Sequence, residues 1–496
     1  MKREELQKLI HDKLGDYRFI VVSNRQPYQH TYKRGKIEWQ KATGGLVMAL
    51  DSVMQACNGL WLAFGDSDAD QRVVDQNNKI QVPPSNPTYT LKRIFLSKEQ
   101  EEGYYYGFSS DTLWPLCHMS FQRPTFRQED WEQYCQVNRK FAQAIIDEIG
   151  TSKAFIWIHD YHLCLLPKYL KEMAPDNLIV AHFWHIPWPS FETFRICPNK
   201  EEILDGLLAN DLLGFHINYH CNNFLDNVDR LLESKIDRER FSVVRGNHET
   251  LIRSFPISVD YQEANTLAAE TRNSALQQTF IDEFNLKDKK VLLGVDRIDY
   301  TKGIPERLLA IDRLLTKNPQ LKEKIIFLQI GVVSRIHLDK YKQLNDEINA
   351  LVERINWKHS SDSWNPITLT RRQLFFKELL ALYQLADVCV VSSLHDGMNL
   401  VAKEFVSSRV DEDVVLVLSQ FAGSACELKD AILINPYYQE QFSDLLLKAL
   451  TLSKEDRRKR MTKMRQVVAE NNIFSWAGKV ITELLKIQFE QMPVTI

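Results

Sequence analysis

No pair of cysteines in this sequence has C-x-x-C spacing, and the 8 cysteines fall at irregular intervals. That gives no sign of a cysteine zinc site or a disulfide framework, and implies reduced, mostly buried thiols. No apolar run approaches the roughly 18 residues that a membrane span requires. The opening segment MKREELQKLIHDKLGDY carries too many charges for a signal peptide, so the expectation is a soluble cytoplasmic protein. A large excess of charge of one sign is missing too. A formal net charge of -3 with 26% charged residues leaves no basic excess for a nucleic-acid partner. Neither G-x-x-x-x-G-K-[ST] nor G-x-G-x-x-G occurs, which argues against a P-loop nucleotidase and a nicotinamide dehydrogenase.

What is present is length and alternation. The 496 residues, 44% of them apolar, suffice for two or three cores at about 150 residues per domain. Residues 4–14 have the spacing of an amphipathic helix. A buried strand, FIVVS, then runs from Phe19 to Ser23 and ends at Asn24 and Arg25. The Gly44-Gly45 turn enters a second helix, where backbone N–H groups could meet a ligand that a Cβ would block. Residues 66–87, with the acidic DSDAD, read as a solvated surface loop or short hairpin. Strands are expected over 154–166 and 179–189, each closing in a polar cluster. LIRSFPISVD closes the first half, and a polar helical connector spans 260–275. From Lys290 a second sheet begins (VLLGVDRID, IIFLQIGV, VCVVSS, VVLVLS, AILINP), alternating with helices, so the pattern is that of two doubly wound α/β units. Residues 474–489 have helical spacing and are expected to pack back on the body.

Within that frame the chemistry concentrates at a few junctions. Val388 to Val406 reads as strand, turn and helix, placing the N–H groups of Met398, Asn399 and Leu400 at a sheet edge where an anion is favoured. Glu404 lies one turn beyond Leu400, on nearly the same face, and with Asp396 is a candidate acceptor for sugar hydroxyls. Arg297 and Lys302 flank a turn before a helix, a placement that suits a diphosphate as readily as a solvated basic turn. The aromatics of YYYGFSSDTLW suit stacking on sugar faces or core filling. His159 with His162, and His182 with His185, invite a metal reading, but residues three apart in an extended segment point to opposite faces. Asp160 and His185 are instead expected to meet a polyhydroxylated substrate.

In order along the chain, SNRQP, TGGLVMALD, GLW, YYYGFSSDTLWP, WIHDYHL, HIPWPSFETFR, NDLLGFH, DRIDYTKGIPERLLA, SRIHLDKY, HDGMNLVAKE and LVLSQFAGSACEL are similar to the motifs of the trehalose-phosphate synthases, nearly end to end. The resemblance implies the GT-B arrangement of two facing Rossmann-like domains with a cleft between them. Residues 1–258 would bind the acceptor, joined by a helix over about 474–496, and residues 259–473 the nucleotide sugar. It implies Arg25 and Arg335 as the clamp on an acceptor phosphate, and Tyr105, Trp114 and Asp160 as acceptor contacts. Gly45, His185, Arg297, Lys302, Asp396, Asn399, Leu400 and Glu404 would take the donor. Arg297 and Lys302 would neutralise the departing diphosphate while His185 supports the transferred sugar. No metal or cofactor is implied.

The reaction implied is retaining transfer of glucose from a nucleoside diphosphate, UDP-glucose first and GDP- or ADP-glucose as alternatives, to glucose 6-phosphate. Its product would be trehalose 6-phosphate, an osmoprotectant precursor that a phosphatase then consumes. Glycerol 3-phosphate is the alternative acceptor, a silent sugar-phosphate-binding subunit the alternative of another class, and a homo-oligomer is compatible with either. The sequence departs from the family pattern at Phe64, where an aromatic near the acceptor lacks an N–H, and at Trp184, Trp188, Ser258 and Leu374.

Overall fold

The computed structural model describes residues 1–42, 44–174 and 178–491, with side chains as far as residue 486. Residues 1–257 together with the helix Ile473–Gln491 form one unit, and residues 258–472 form the other. Residues 492–496 of the expected terminal helix lie outside the described residues.

The first unit is built on a ten-stranded sheet in which seven successive strands pair in parallel, with antiparallel strands added at both edges. Its central strand is Arg18–Arg25. Outward from it the chain lays down Leu60–Gly65 and Tyr89–Phe95 on one side. It then returns to place Ala154–His159, Leu178–Phe183, Leu212–Phe215 and His248–Ser254 on the other. Such sheets are covered on both faces, which is why Ala154–His159 is buried at every position and reads as an unbroken apolar run. The winding reverses between Arg18–Arg25 and Ala154–His159, and a crevice opens at the carboxyl ends of strands on either side of such a reversal. Those ends carry Arg25 and Asp160.

The second unit repeats the device with six parallel strands, in the order Ile367–Thr370, Ile325–Val332, Lys290–Arg297, Val388–Val391, Val415–Ser419, Ile432–Ile434. Here the reversal lies between Lys290–Arg297 and Val388–Val391, so the residues that follow those two strands, 297–303 and 392–400, share one crevice.

Several expectations are corrected. The strand expected over 154–166 stops at His159, and the chain turns through Tyr161–Leu163 into the helix Leu166–Met173. The strand expected over 179–189 ends at Phe183. The acidic stretch after Phe64 is only partly a solvated loop: Asp66 and Asp68 are exposed, but Ser67 caps the short helix Asp68–Val73, and Asp70 is fully buried against Arg93 at 2.9 Å. Hydrogen bonds from Gln26 and from the His30 amide hold that carboxylate, pulled to a pKa of about 2 against the effect of burial. The tail does pack on the first unit, with Trp476 stacked on Trp157 at 4.8 Å and its Nε1–H donated to the Phe255 carbonyl.

Candidate functional site

In the second unit, Lys290–Arg297 runs into a single 3-10 turn, Tyr300–Lys302, capped by the Asp299 carboxylate. The chain then reverses at Gly303, with φ of 61°. A Cβ at Gly303 would collide with the Ser392 carbonyl, so glycine lets this turn approach the neighbouring strand's end. The approach brings Lys302 Nζ to 2.6 Å from Asp396 Oδ2. Asp396 was expected to be available to sugar hydroxyls; here its Oδ2 also accepts from Ser393 Oγ and Asn399 Nδ2, both at 3.2 Å. Asn399 accepts from the Ala402 amide at 3.0 Å, so it is the cap of the helix Leu400–Ser408. Of the three N–H groups expected to start that helix, Leu400 alone lies within it.

Behind this loop sits a cation that the sequence reading missed. Arg307 is fully buried; it donates to Asp296 Oδ2 at 2.7 Å, Gln329 Oε1 at 2.8 Å, Ser392 Oγ at 2.9 Å and the Lys302 carbonyl at 3.5 Å. Gly294 makes room for it, since a Cβ there would strike the guanidinium. One buried side chain thus ties the two strand ends to the turn bearing Lys302. Burial raises the Asp296 carboxyl above its ordinary range despite the opposing Arg307 charge.

Arg335, expected with Arg25 on an acceptor phosphate, is buried in the second unit. It donates to Tyr341 Oη at 2.8 Å and lies 3.8 Å from Asp299. Burial pushes the Asp299 carboxyl up, but the Arg335 and Arg297 guanidiniums hold it below the usual carboxylate range. Glu404 is buried, accepts from Tyr383 Oη at 3.3 Å, and is raised by burial to a pKa of about 7. Leu374 is part of the apolar core.

In the first unit, Arg25 donates to Tyr105 Oη at 3.1 Å and pairs in register with Phe64. Tyr105 belongs to a widened helix, Glu102–Leu113, where the sequence reading found only an aromatic cluster. The buried neighbour Tyr104 donates to Asn24 Oδ1 at 3.0 Å, anchoring this helix to the central strand's end. Trp114 is buried with its ring 4.1 Å from that of His118. Gly45 opens the helix Gly45–Cys57, and the space a Cβ would enter at Gly44 is open.

Asp160 follows Ala154–His159 with φ of 72° and ψ of 173°, a strained backbone for any residue but glycine. Its carboxylate accepts the His185 amide at 3.2 Å, and its carbonyl accepts from His182 Nε2 at 2.9 Å. His185 is half-buried, with Nε2 3.0 Å from His159 Nδ1. Burial and the neighbouring histidines hold its pKa well below 6.5, so the imidazole is neutral. One member of each histidine pair of the sequence thus meets one of the other, because their strands lie side by side in parallel with His159 opposite Phe183. Among the described residues no group of three or more His, Cys, Asp or Glu side chains is placed to hold a metal ion, and no helix is long and apolar enough to cross a membrane.

A profile of glycosyltransferase family 20 matches residues 17–486. A trehalose-6-phosphate synthase of Mycobacterium ulcerans is 35% identical over 491 residues, covering 97% of this chain and 96% of its own. Among solved structures, the Escherichia coli trehalose-6-phosphate protein bound with UDP-2-fluoro glucose is 30% identical. It superposes with a TM-score of 0.84, covering 95% of this chain and 99% of its own. The UDP-forming alpha,alpha-trehalose-phosphate synthase of Burkholderia xenovorans, in complex with glucose-6-phosphate, is 29% identical. Its TM-score is 0.84, with 94% of this chain and 100% of that chain covered.

Proposed function

The chain belongs to glycosyltransferase family 20, and from that premise we propose that it transfers glucose with retention from UDP-glucose to glucose 6-phosphate, giving trehalose 6-phosphate. The observation carrying this reading is the crevice at the second unit's winding reversal. There Arg297 ends one strand and Lys302, in the turn that follows, reaches the loop before the helix Leu400–Ser408, which carries the buried Glu404 one turn in. Cations and a helix end suit a diphosphate; a carboxylate one turn further suits ribose hydroxyls. The family's UDP-2-fluoro glucose and glucose-6-phosphate complexes support the same substrate pair.

On this reading the acceptor hydroxyl attacks from the face that the nucleotide leaves, and the departing phosphate takes its proton. Arg297, Lys302 and the Leu400 amide stabilise the charge that develops on the diphosphate. A neutral His185 and the carboxylate of Asp160 position the sugars. Arg25 holds the acceptor phosphate, Tyr105 and Trp114 contact the acceptor sugar, and Gly45 admits the donor to the backbone. Arg335 is the second arginine of the proposed clamp on the acceptor phosphate. The reaction runs in the cytoplasm, and its product requires a phosphatase for the next step.

The deciding experiment supplies purified protein with UDP-, GDP- and ADP-glucose against glucose 6-phosphate and glycerol 3-phosphate, and identifies products by mass spectrometry. A disaccharide phosphate from UDP-glucose and glucose 6-phosphate is expected. Turnover confined to glycerol 3-phosphate would replace the acceptor, and binding without turnover on every pair would reject the enzyme.

Two further results follow from the geometry. Arg25→Ala should raise KM for glucose 6-phosphate on the order of 100-fold, the scale of a charge-assisted phosphate contact. The effect on glucose as acceptor should be small, and equal losses on both would remove Arg25 from the phosphate site. The second result concerns pH. With Glu404 raised to about 7, its carboxyl is protonated in the free protein below that pH. Its stabilising contribution is full below the ordinary 4.5 and is lost as pH rises through 7. Ribose hydroxyls need the ionised form, so UDP affinity should fall as pH drops below 7, by up to about tenfold per unit, with proton release on binding. A pH-independent UDP affinity from 5.5 to 8, by calorimetry in two buffers, would exclude Glu404 as the ribose acceptor.

A further inference from the structure

His159 lies fully buried at the end of its strand, and one nitrogen–nitrogen contact links it to His185, Nδ1 to Nε2 at 3.0 Å. A single proton occupies that contact, and it belongs to one ring or the other. If it sat on His185 Nε2, the proton of a neutral His159 would have to sit on its own Nε2. That atom is buried and has no hydrogen-bond partner among the described residues. An orphaned buried N–H costs about 1–3 kcal/mol, whereas an unprotonated ring nitrogen needs no acceptor. The surroundings agree. The adjacent Trp157, its ring 4.9 Å from that of His159, has a buried indole N–H also without a partner among the described residues. A second orphan donor beside it would compound the cost. The alternative of an imidazolium is opposed by burial and by His182, which hold His159 well below 6.5.

We propose that His159 fixes the tautomer of His185: its Nδ1–H donates to His185 Nε2, so His185 carries its proton on Nδ1 and presents that N–H away from the core. His159 is thereby a positioning residue. It leaves the half-buried imidazole as a hydrogen-bond donor to a hydroxyl oxygen of the transferred sugar, a consequence that rests on the role proposed above for His185. The neighbouring His182 provides an internal contrast. Its Nε2 faces the Asp160 carbonyl at 2.9 Å, an acceptor, so His182 must hold its proton on Nε2. Two histidines on adjacent strands thus carry opposite tautomers.

Long-range proton–nitrogen correlation spectra of the full-length protein, labelled with nitrogen-15 histidine at pH about 7.5, read this directly. Signals are assigned by difference with His185→Gln and His159→Asn. The expected pattern is Nδ1–H at His159 and His185 and Nε2–H at His182; Nε2–H at His185 overturns the proposal. Turnover then tests the consequence separately. His159→Leu should lower kcat about 10-fold or more, the scale for removing the outer partner of a functional histidine, with donor KM little changed. His159→Asn, whose amide lies where Nδ1 lay, should recover part of that loss. The expected tautomers with turnover unmoved in His159→Leu would uphold the assignment and overturn the role of His185 instead.

Discussion

Lys302→Ala and Arg297→Ala each lower kcat by a factor on the order of 100 to 1,000, the scale for removing one preorganised stabiliser of developing charge. The structure adds a distinction between them. Lys302 is paired with Asp396 at 2.6 Å, so its removal deletes a cation and also leaves an uncompensated carboxylate facing the place where the diphosphate departs. Lys302→Ala is therefore the more damaging single change. Adding Asp396→Asn to it should restore part of the loss, a coupling expected of residues in direct contact. Steady-state kinetics on the two singles and the double decide the point. Unchanged kcat in either single variant removes that cation from the reaction, and strict additivity in the double removes the proposed repulsion.

Arg307→Met should destabilise the second unit by about 3–5 kcal/mol, the cost of leaving one member of a buried ion pair without its partner. Asp296, Gln329 and Ser392 all lose a donor at once, and the Asp296 carboxyl is already raised by burial. The same change frees the Lys302 carbonyl, so UDP affinity should fall although Arg307 belongs to the layer behind the crevice. Denaturant unfolding followed by fluorescence should show the loss, and converting Asp296 to Leu in the same chain should recover part of it by removing the stranded charge. A change under about 1 kcal/mol would mean the network is not holding the turn.

The two doubly wound units were legible because parallel strands covered on both faces leave long β-branched runs, as in FIVVS and VCVVSS. The crevice residues were legible because Gly303 and the segment from Asp396 to Leu400 mark turns between strand and helix, where anion sites form. Arg307 was hidden by its setting. In IPERLLAI it has the spacing of a surface cation on an amphipathic helix, and its partners lie 11 and 85 residues away in sequence. Asp70 was hidden likewise, since its burial depends on Arg93 from a strand formed later in the chain. The meeting of His159 with His185 needed the parallel pairing that sets His159 opposite Phe183, and nothing in alternating hydrophobicity fixes which strands pair or in what register. Arg335 carries a motif signal but no spatial one, and a positive φ of 51° turns it toward Tyr341 and Asp299.

The return of the last helix to the first unit has a consequence for biosynthesis. The indole of Trp476 reaches the Phe255 carbonyl across 221 residues, and Arg253 reaches Glu483 at 2.8 Å across 230. A nascent chain emerging from the ribosome can assemble residues 258–472 from contiguous sequence. The Trp157 layer of the earlier unit stays uncovered until residue 476 has been translated. The half begun first is thus finished last, and during that interval its unfilled core is a surface for chaperones.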